Sequence, residues 1–240
     1  MTTLTVDSLS IQFGGVTALT DISFEMTTGV TGVIGPNGAG KSTLFNSITG
    51  LVPTAKRKGT VTFNGHNITR ARTEQVARLG IRRTFQNIKL FPELTVLENV
   101  AVGALNTRST MVRGAAAKNA AHSALEELGL TKSVNLLPSQ LTYATQRQVE
   151  IARCLAADPS VVLLDEPAAG MHADDREALG ELIVRLGKRL LLVLVEHDVG
   201  LVSKVCDEII VLDFGKKIAS GTPAEIRSNP EVIRAYLGKA

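Results

Sequence analysis

The sequence is short of the features that mark several broad classes of protein. Its most apolar stretch, LLLVLV at 190–195, falls far below the roughly 20 residues that a membrane-spanning helix needs. There are only two cysteines, Cys154 and Cys206, without metal-type spacing. They read as buried thiols of a reducing compartment. No charge of one sign dominates: 26 basic residues face 23 acidic ones, a net charge of +3, too mild to imply nucleic acid by itself. Neither an internal repeat nor a low-complexity linker interrupts the chain. The opening MTTLTVDSLS has no basic stretch leading into an apolar one, so no signal peptide is expected. The expectation is a cytoplasmic protein whose role at a membrane, if it has one, runs through a partner.

What is present suits a folded domain. At 240 residues, 44% hydrophobic and 20% charged, the chain can form one well-buried unit or a core with a small lobe. LTVDSLSIQFGGVTALTDISFEM reads as short strands broken by Gly14-Gly15. VTGVIG at 30–35 is a strand, KSTLFNSIT at 41–49 a helix closed by Gly50, and GTVTFNGHNI at 59–68 strand-like with a turn at Asn64-Gly65. Between about 88 and 155 strand signals vanish and helical stretches such as GAAAKNAAHSALEELGL take over. VVLLDEP at 161–167 and LLVLVEHD at 191–198 are apolar runs ending in acids, as parallel strands buried on both faces require. ADDREALGELIVRLG at 173–187 suits the helix between them, and CDEIIVLDFGKKIASG a hairpin turning at 214–216. The basic runs AKRKG (55–59) and IRRT (81–84) read as solvated faces or loop tips.

The chemistry starts at GPNGAGKST, residues 35–43, which satisfies G-x-x-x-x-G-K-[ST] between a strand and a helix. Gly35, Pro36, Asn37, Gly38, Ala39 and Gly40 form a loop whose backbone N–H groups can turn inward on phosphate oxygens. The following helix adds its own N-terminal donors, with Thr43 in its first turn. Lys41 neutralises the β- and γ-phosphates and Ser42 offers a hydroxyl to Mg²⁺. Asp165, ending the VVLLD strand, can hold Mg²⁺ through water, and Glu166 can act as general base on an attacking water. His197 ends the next apolar strand, where open parallel sheets bind ligands. Gln86 lies where the strand-rich part meets the helical one. Phe13 fits either a core position or stacking on a base. LTYATQ at 141–146 is a helix start that Thr142 can cap, with Thr145 three residues on. It serves either as a plain capped helix or as one whose N-terminus holds a phosphate.

Taken together these pieces resemble the ATP-binding subunit of an ABC transporter, over essentially the whole chain. The resemblance implies an α/β fold: a P-loop NTPase (RecA-like) core with an N-terminal antiparallel β-subdomain and an inserted helical subdomain. The core would be 1–87 and 156–240, the helical part 88–155. It also implies Phe13, with Val16, against adenine; Gly35 to Thr43 as the Walker A loop; and Gln86 as the Q-loop glutamine, a Mg²⁺ ligand with Ser42 and Asp165. Glu166, His197 and Gln86 would be catalytic. The ligands would be ATP and Mg²⁺.

LTYATQ falls at the family's signature, LSGGQ in most members. There the helix caps ATP held by the other subunit of a head-to-tail dimer, so Thr142 and Ala144 would serve a second ATPase subunit, a different chain or a second copy. Permease subunits would dock near Gln86 and FPELTVLENV, placing the protein on the cytoplasmic face of the membrane, with a solute-binding protein as an indirect partner and no nucleic acid. LSIQFGGVTAL, DEPAAGM and the tail GTPAEIRSNPEVIRAYLG are similar to the ATPases of branched-chain amino acid importers, whose tail urea and amide importers share. A lipopolysaccharide-export ATPase, a soluble ABC ATPase acting on nucleic acid or the ribosome, and a non-hydrolysing clamp are the alternatives. The chain departs from the family at Tyr143, Ala144 and Thr145, and at His172, where most members have Asp or Asn. A methyl at Ala144 would obstruct the γ-phosphate or forbid a positive φ, making the site it caps the weaker of two. Alternatively Thr142 and the helix N-terminus suffice.

Overall fold

Alternation along the first 27 residues builds an antiparallel sheet, but with longer strands than the sequence suggests. In this computed structural model the described residues are 2–52, 57–105 and 113–237. Strand β1 runs Thr3–Phe13 and β2 runs Val16–Thr27. Leu4 and Val6 point inward, and so do Leu9 and Ile11, which breaks strict alternation by one residue. A bulge absorbs the slip: Ser8 takes a φ of 50°, and the pairing shifts register between Val6 and Leu9. That phase change is why the strand looks shorter than its 11 residues, while the expected break at Gly14-Gly15 is the turn into β2. β1 also pairs with β4 (Arg57–Phe63), which turns through Asn64-Gly65 into β5 (His66–Asn67), giving the order β2-β1-β4-β5.

The second sheet has the order β10-β9-β3-β8-β7-β6. Its members are β3 (Gly29–Ile34), β6 (Ile81–Arg83), β7 (Val161–Asp165), β8 (Leu191–Val195), β9 (Glu208–Asp213) and β10 (Lys216–Gly221). All pairings are parallel except the β9–β10 hairpin. β7 and β8 are buried along their whole length, as expected of strands covered on both faces. Val161, Leu163, Leu191 and Val193 face the antiparallel sheet together with Leu44, Phe45 and Ile48. Val162, Leu164, Leu192 and Leu194 face the opposite way, into a core shared with the helices.

Helix α1 (Lys41–Ile48) follows the glycine-rich loop, and α2 (Thr73–Arg78) precedes β6. Three helices then form a group: α3 (Val96–Ala104), α4 (Ala115–Glu127) and α5 (Tyr143–Leu155). Thr95 caps α3 reciprocally with Glu98. α6 (Ala173–Gly187) links β7 to β8 with the bounds expected from sequence, and α7 (Val199–Val205) links β8 to β9. α8 (Pro223–Ser228) and α9 (Pro230–Leu237) close the chain. Among the described residues no helix is long and apolar enough to cross a membrane.

The expected hairpin turns at Phe214-Gly215, with Lys216 already in strand. Its tip reaches across the molecule: Thr20 N–H donates to the Gly215 carbonyl at 2.7 Å, and Gly215 N–H donates to the Ala39 carbonyl at 3.1 Å. Cys154 and Cys206 are buried free thiols, and burial pushes both up to about 12. The basic runs need correction. Ala55 and Lys56 lie outside the described residues, while Arg57 opens β4 and bonds the Thr69 carbonyl. IRRT is no solvated face. Ile81–Arg83 is the edge strand of the second sheet, paired with β7, its two arginines are half-buried, and Thr84 is fully buried.

Candidate functional site

The glycine-rich loop occupies the carboxyl end of β3. Gly40 sits just before α1 with a φ of 102°, and a side chain there would meet Leu19 at 2.6 Å and the Ala18 carbonyl at 2.8 Å. Glycine is therefore needed for both conformation and space. Lys41 is buried, and its Nζ donates to the carbonyls of Gly35 at 2.7 Å and Pro36 at 3.0 Å. Burial lowers its pKa, against the opposing pull of the Glu166 and Asp165 carboxylates. The loop opens on a cavity of about 210 Å³ lined by Asn37 to Thr43, Ala18, Glu166 and His197.

Three neighbouring strands deliver the remaining groups. Glu166 follows β7 with a φ of 46°, its N–H bonded to the Val195 carbonyl. Gln86, beyond β6, donates through Nε2 to Glu166 Oε2 at 2.9 Å. His197, beyond β8, places Nε2 at 3.1 Å from Glu166 Oε1. Gln86 and His197 therefore converge on one carboxylate at the edge of the cavity. Because β6, β7 and β8 are adjacent, residues far apart in sequence meet here.

Several contributors were not legible in the sequence. Arg83 bonds Asp165 Oδ2 through Nη2 at 2.6 Å and Asn46 Oδ1 through Nη1 at 2.6 Å. Glu196 accepts from the N–H groups of Ala168 at 2.8 Å and His197 at 3.1 Å, tying the loop after β7 to the loop after β8. Burial raises its pKa above the usual carboxylate value, with the backbone bonds opposing. Arg147 is fully buried and donates to the carbonyls of Phe85 at 2.6 Å and Gln86 at 2.7 Å. It also pairs with Glu150 at 2.6 Å and bonds the Tyr143 hydroxyl at 3.3 Å. Arg147 thus fastens the start of α5 to the backbone that carries Gln86. From sequence it reads as one more polar helix position; only the fold shows what lies opposite.

Other expected residues lie apart from this cavity. Phe13 and Val16 pair at the tip of the β1–β2 hairpin and are exposed, on the same hairpin as Ala18. Thr142 caps α5, its hydroxyl accepting from Thr145 N–H at 3.2 Å. Thr142 and Ala144 do not line this chain's own cavity. Ala144 lies within α5, packed on the core, so no positive φ is required there. His172 is exposed and precedes α6.

For a divalent cation, the donor set comprises the Ser42 hydroxyl at the cavity, the Asp165 carboxylate, and the Gln86 amide oxygen left over once Nε2 is used. That set fits Mg²⁺, which binds few protein groups and keeps water and phosphate oxygens as ligands. Among the described residues no cluster of three or more His, Cys, Asp or Glu forms a metal cage.

Comparison with known proteins adds family context. A profile described as "ABC transporter" matches residues 19–169, and one described as "Branched-chain amino acid ATP-binding cassette transporter" matches residues 216–240. The chain is 41% identical to the high-affinity branched-chain amino acid transport ATP-binding protein LivG of Salmonella typhimurium, over 99% of this chain and 98% of that one. It is 40% identical to BraF of Pseudomonas aeruginosa, which carries the same description, over 99% and 98% of the two chains. A nucleotide-free ATP-binding cassette from an ABC transporter superposes with a TM-score of 0.90 at 29% identity, covering 100% of both chains.

Proposed function

Because the chain belongs to the ABC transporter family, we propose that it is the ATP-hydrolysing subunit of an importer for branched-chain amino acids, working on the cytoplasmic face of the cell membrane. The observation that carries the catalytic reading is the convergence of Gln86 and His197 on Glu166 at the edge of the glycine-loop cavity. The solute reading is supported by the names of LivG and BraF and by the tail match over 216–240.

In this reading the loop N–H groups and the N-terminus of α1 bind phosphate oxygens. Lys41, held in the structure by two loop carbonyls, exchanges them for phosphate oxygens. Glu166 accepts a proton from the attacking water. Gln86 and His197 hold the Glu166 carboxylate in place from two sides. Ser42, Asp165 and Gln86 would hold Mg²⁺, which when bound neutralises charge on the phosphates.

Thr142 and the N-terminus of α5 serve nucleotide held by a second ATPase subunit. The permease docks beside Gln86, and a solute-binding protein delivers the cargo. The helical conformation of Ala144 favours the view that Thr142 and the helix N-terminus suffice without glycine. Replacing Ala144 by Gly and Thr145 by Gln in the assembled transporter tests it: a rise in ATP turnover would mean that the native signature is the weaker one.

Glu166→Gln should cut ATP turnover on the order of 10²-fold or more while nucleotide binding persists. Turnover at the wild-type rate would refute the role of Glu166. Loss of labelled leucine uptake on removing the chain from cells is the expected result for the importer reading. Undiminished uptake of leucine, isoleucine and valine would refute it.

A further inference from the structure

Arg83 belongs to a basic run that looks solvated in the sequence, yet its side chain and that of Asp165 are each only 9% exposed. Its guanidinium is held from four directions. Nη2 is on Asp165 at 2.6 Å and Nη1 on Asn46 of α1 at 2.6 Å. The Phe45 and Phe85 rings flank it, each with its centroid 5.4 Å away. Both rings favour a cation over their faces, so the charge is gripped where it sits. Arginine does not give up its proton in proteins. The carboxylate at the end of β7 is therefore compensated by a permanent cation on the neighbouring strand.

Without Arg83, Asp165 would be a largely buried, unpaired carboxylate, a good partner for any divalent cation. With it, an incoming cation meets a fixed positive charge a few ångströms away. We propose that Arg83 is a positioning residue that competes with the divalent cation for Asp165, so that metal enters the site only with nucleotide. This rests on the ATP-site reading above. The nucleotide's own negative charge tips the balance: it adds oxygen ligands and offsets the repulsion by Arg83. Asp165 then contributes through the oxygen that Arg83 leaves free.

The test is a Mn²⁺ titration of the full chain followed by electron paramagnetic resonance, with and without a non-hydrolysable ATP analogue. Without nucleotide, the wild type should bind Mn²⁺ weakly. Arg83→Gln should bind it at least roughly tenfold more tightly, the lower bound set by removing one unit charge a few ångströms from a divalent ion even at a water-like dielectric. Adding Asp165→Asn to Arg83→Gln should abolish the gain. A thermal scan of each variant separates this from structural damage, because loss of packing alone would lower the melting temperature without tightening Mn²⁺. Should Arg83→Gln fail to fold, Arg83→Met decides. It keeps an unbranched side chain between the Phe45 and Phe85 rings but removes the charge, so its Mn²⁺ affinity should also lie above the wild type's. Equal Mn²⁺ affinities in the wild type and the folded variants would overturn the role of Arg83 and leave the ATP site standing. A wild type that binds no ATP analogue would overturn the ATP reading itself.

Discussion

Replacing Arg147 by methionine is the sharpest test of what holds the nucleotide-facing loops in register. The Arg147 and Glu150 side chains are both completely buried. Removing the guanidinium leaves the Glu150 carboxylate without its principal partner; Arg153 is 3.6 Å away on the other oxygen and Phe85 N–H donates at 3.4 Å. Breaking a buried pair from one side costs about 3–5 kcal/mol. For a chain of this size each kcal/mol lowers the melting temperature by about 2–4 °C, so a fall of about 10 °C is expected. Replacing Glu150 by leucine as well should recover most of the loss, since an apolar pair of similar volume is close to neutral. The carbonyls of Phe85 and Gln86 also lose their donor, but both residues are exposed, so water can serve them. The coupling between the two substitutions should therefore be about 2 kcal/mol or more. The chain has no tryptophan, so urea unfolding is best followed by far-ultraviolet circular dichroism. A single variant within about 1 kcal/mol of the wild type, or a double variant as unstable as the summed singles, would refute this account.

Three further outcomes follow from local geometry. Gly103→Ala would press a methyl into the Arg153 carbonyl where α3 crosses α5; a loss of roughly 1–3 kcal/mol is expected, and unchanged urea stability would count against so close a crossing. Thr142→Ala removes the α5 cap and should cost about 1 kcal/mol, with Thr142→Ser restoring it; equal midpoints for Ala and Ser would show that the cap contributes nothing. Burial raises the Glu196 pKa above its ordinary 4.5, so the folded chain keeps this proton to higher pH than the unfolded chain does. Its contribution to stability therefore falls as pH rises from the ordinary value through the raised one. Glu196→Gln should flatten that part of the stability–pH curve, and an unaltered slope would refute the assignment.

The parts of the molecule that were legible in sequence are those whose signal is local. The glycine loop, the runs of β7 and β8, the helix between them and the Thr142 cap each state themselves within a dozen residues. β1 and β2 are half legible: Gly14-Gly15 marks the turn between them, but the bulge at Ser8 inverts the alternation midway in β1 and hides its full length. Arg83 looks solvated within its own segment, because its partner Asp165 lies 82 positions away on the next strand. Glu196 carries no local signal, because what it ties together, the Ala168 N–H, lies 28 positions away in the loop after β7. Phe13 and Val16 remain apart from the cavity lining, so what they contribute depends on a ligand rather than on the fold.

Two of the hairpin tips, Asn64-Gly65 and Phe214-Gly215, invite opposite treatment by a protein engineer. They use nearly the same left-handed backbone, with φ of 47° and 79° in one and 44° and 75° in the other. A side chain at Gly65 would meet nothing within 4 Å, whereas one at Gly215 would meet the Ala18 carbonyl at 2.5 Å. The first tip is tied to Thr3 through Asn64 but opens onto free space at Gly65, which suits it to carrying a dye at that one position. The second is a rivet joining the antiparallel sheet to the glycine-rich loop, and a single residue inserted there would pull apart both of the structures it joins.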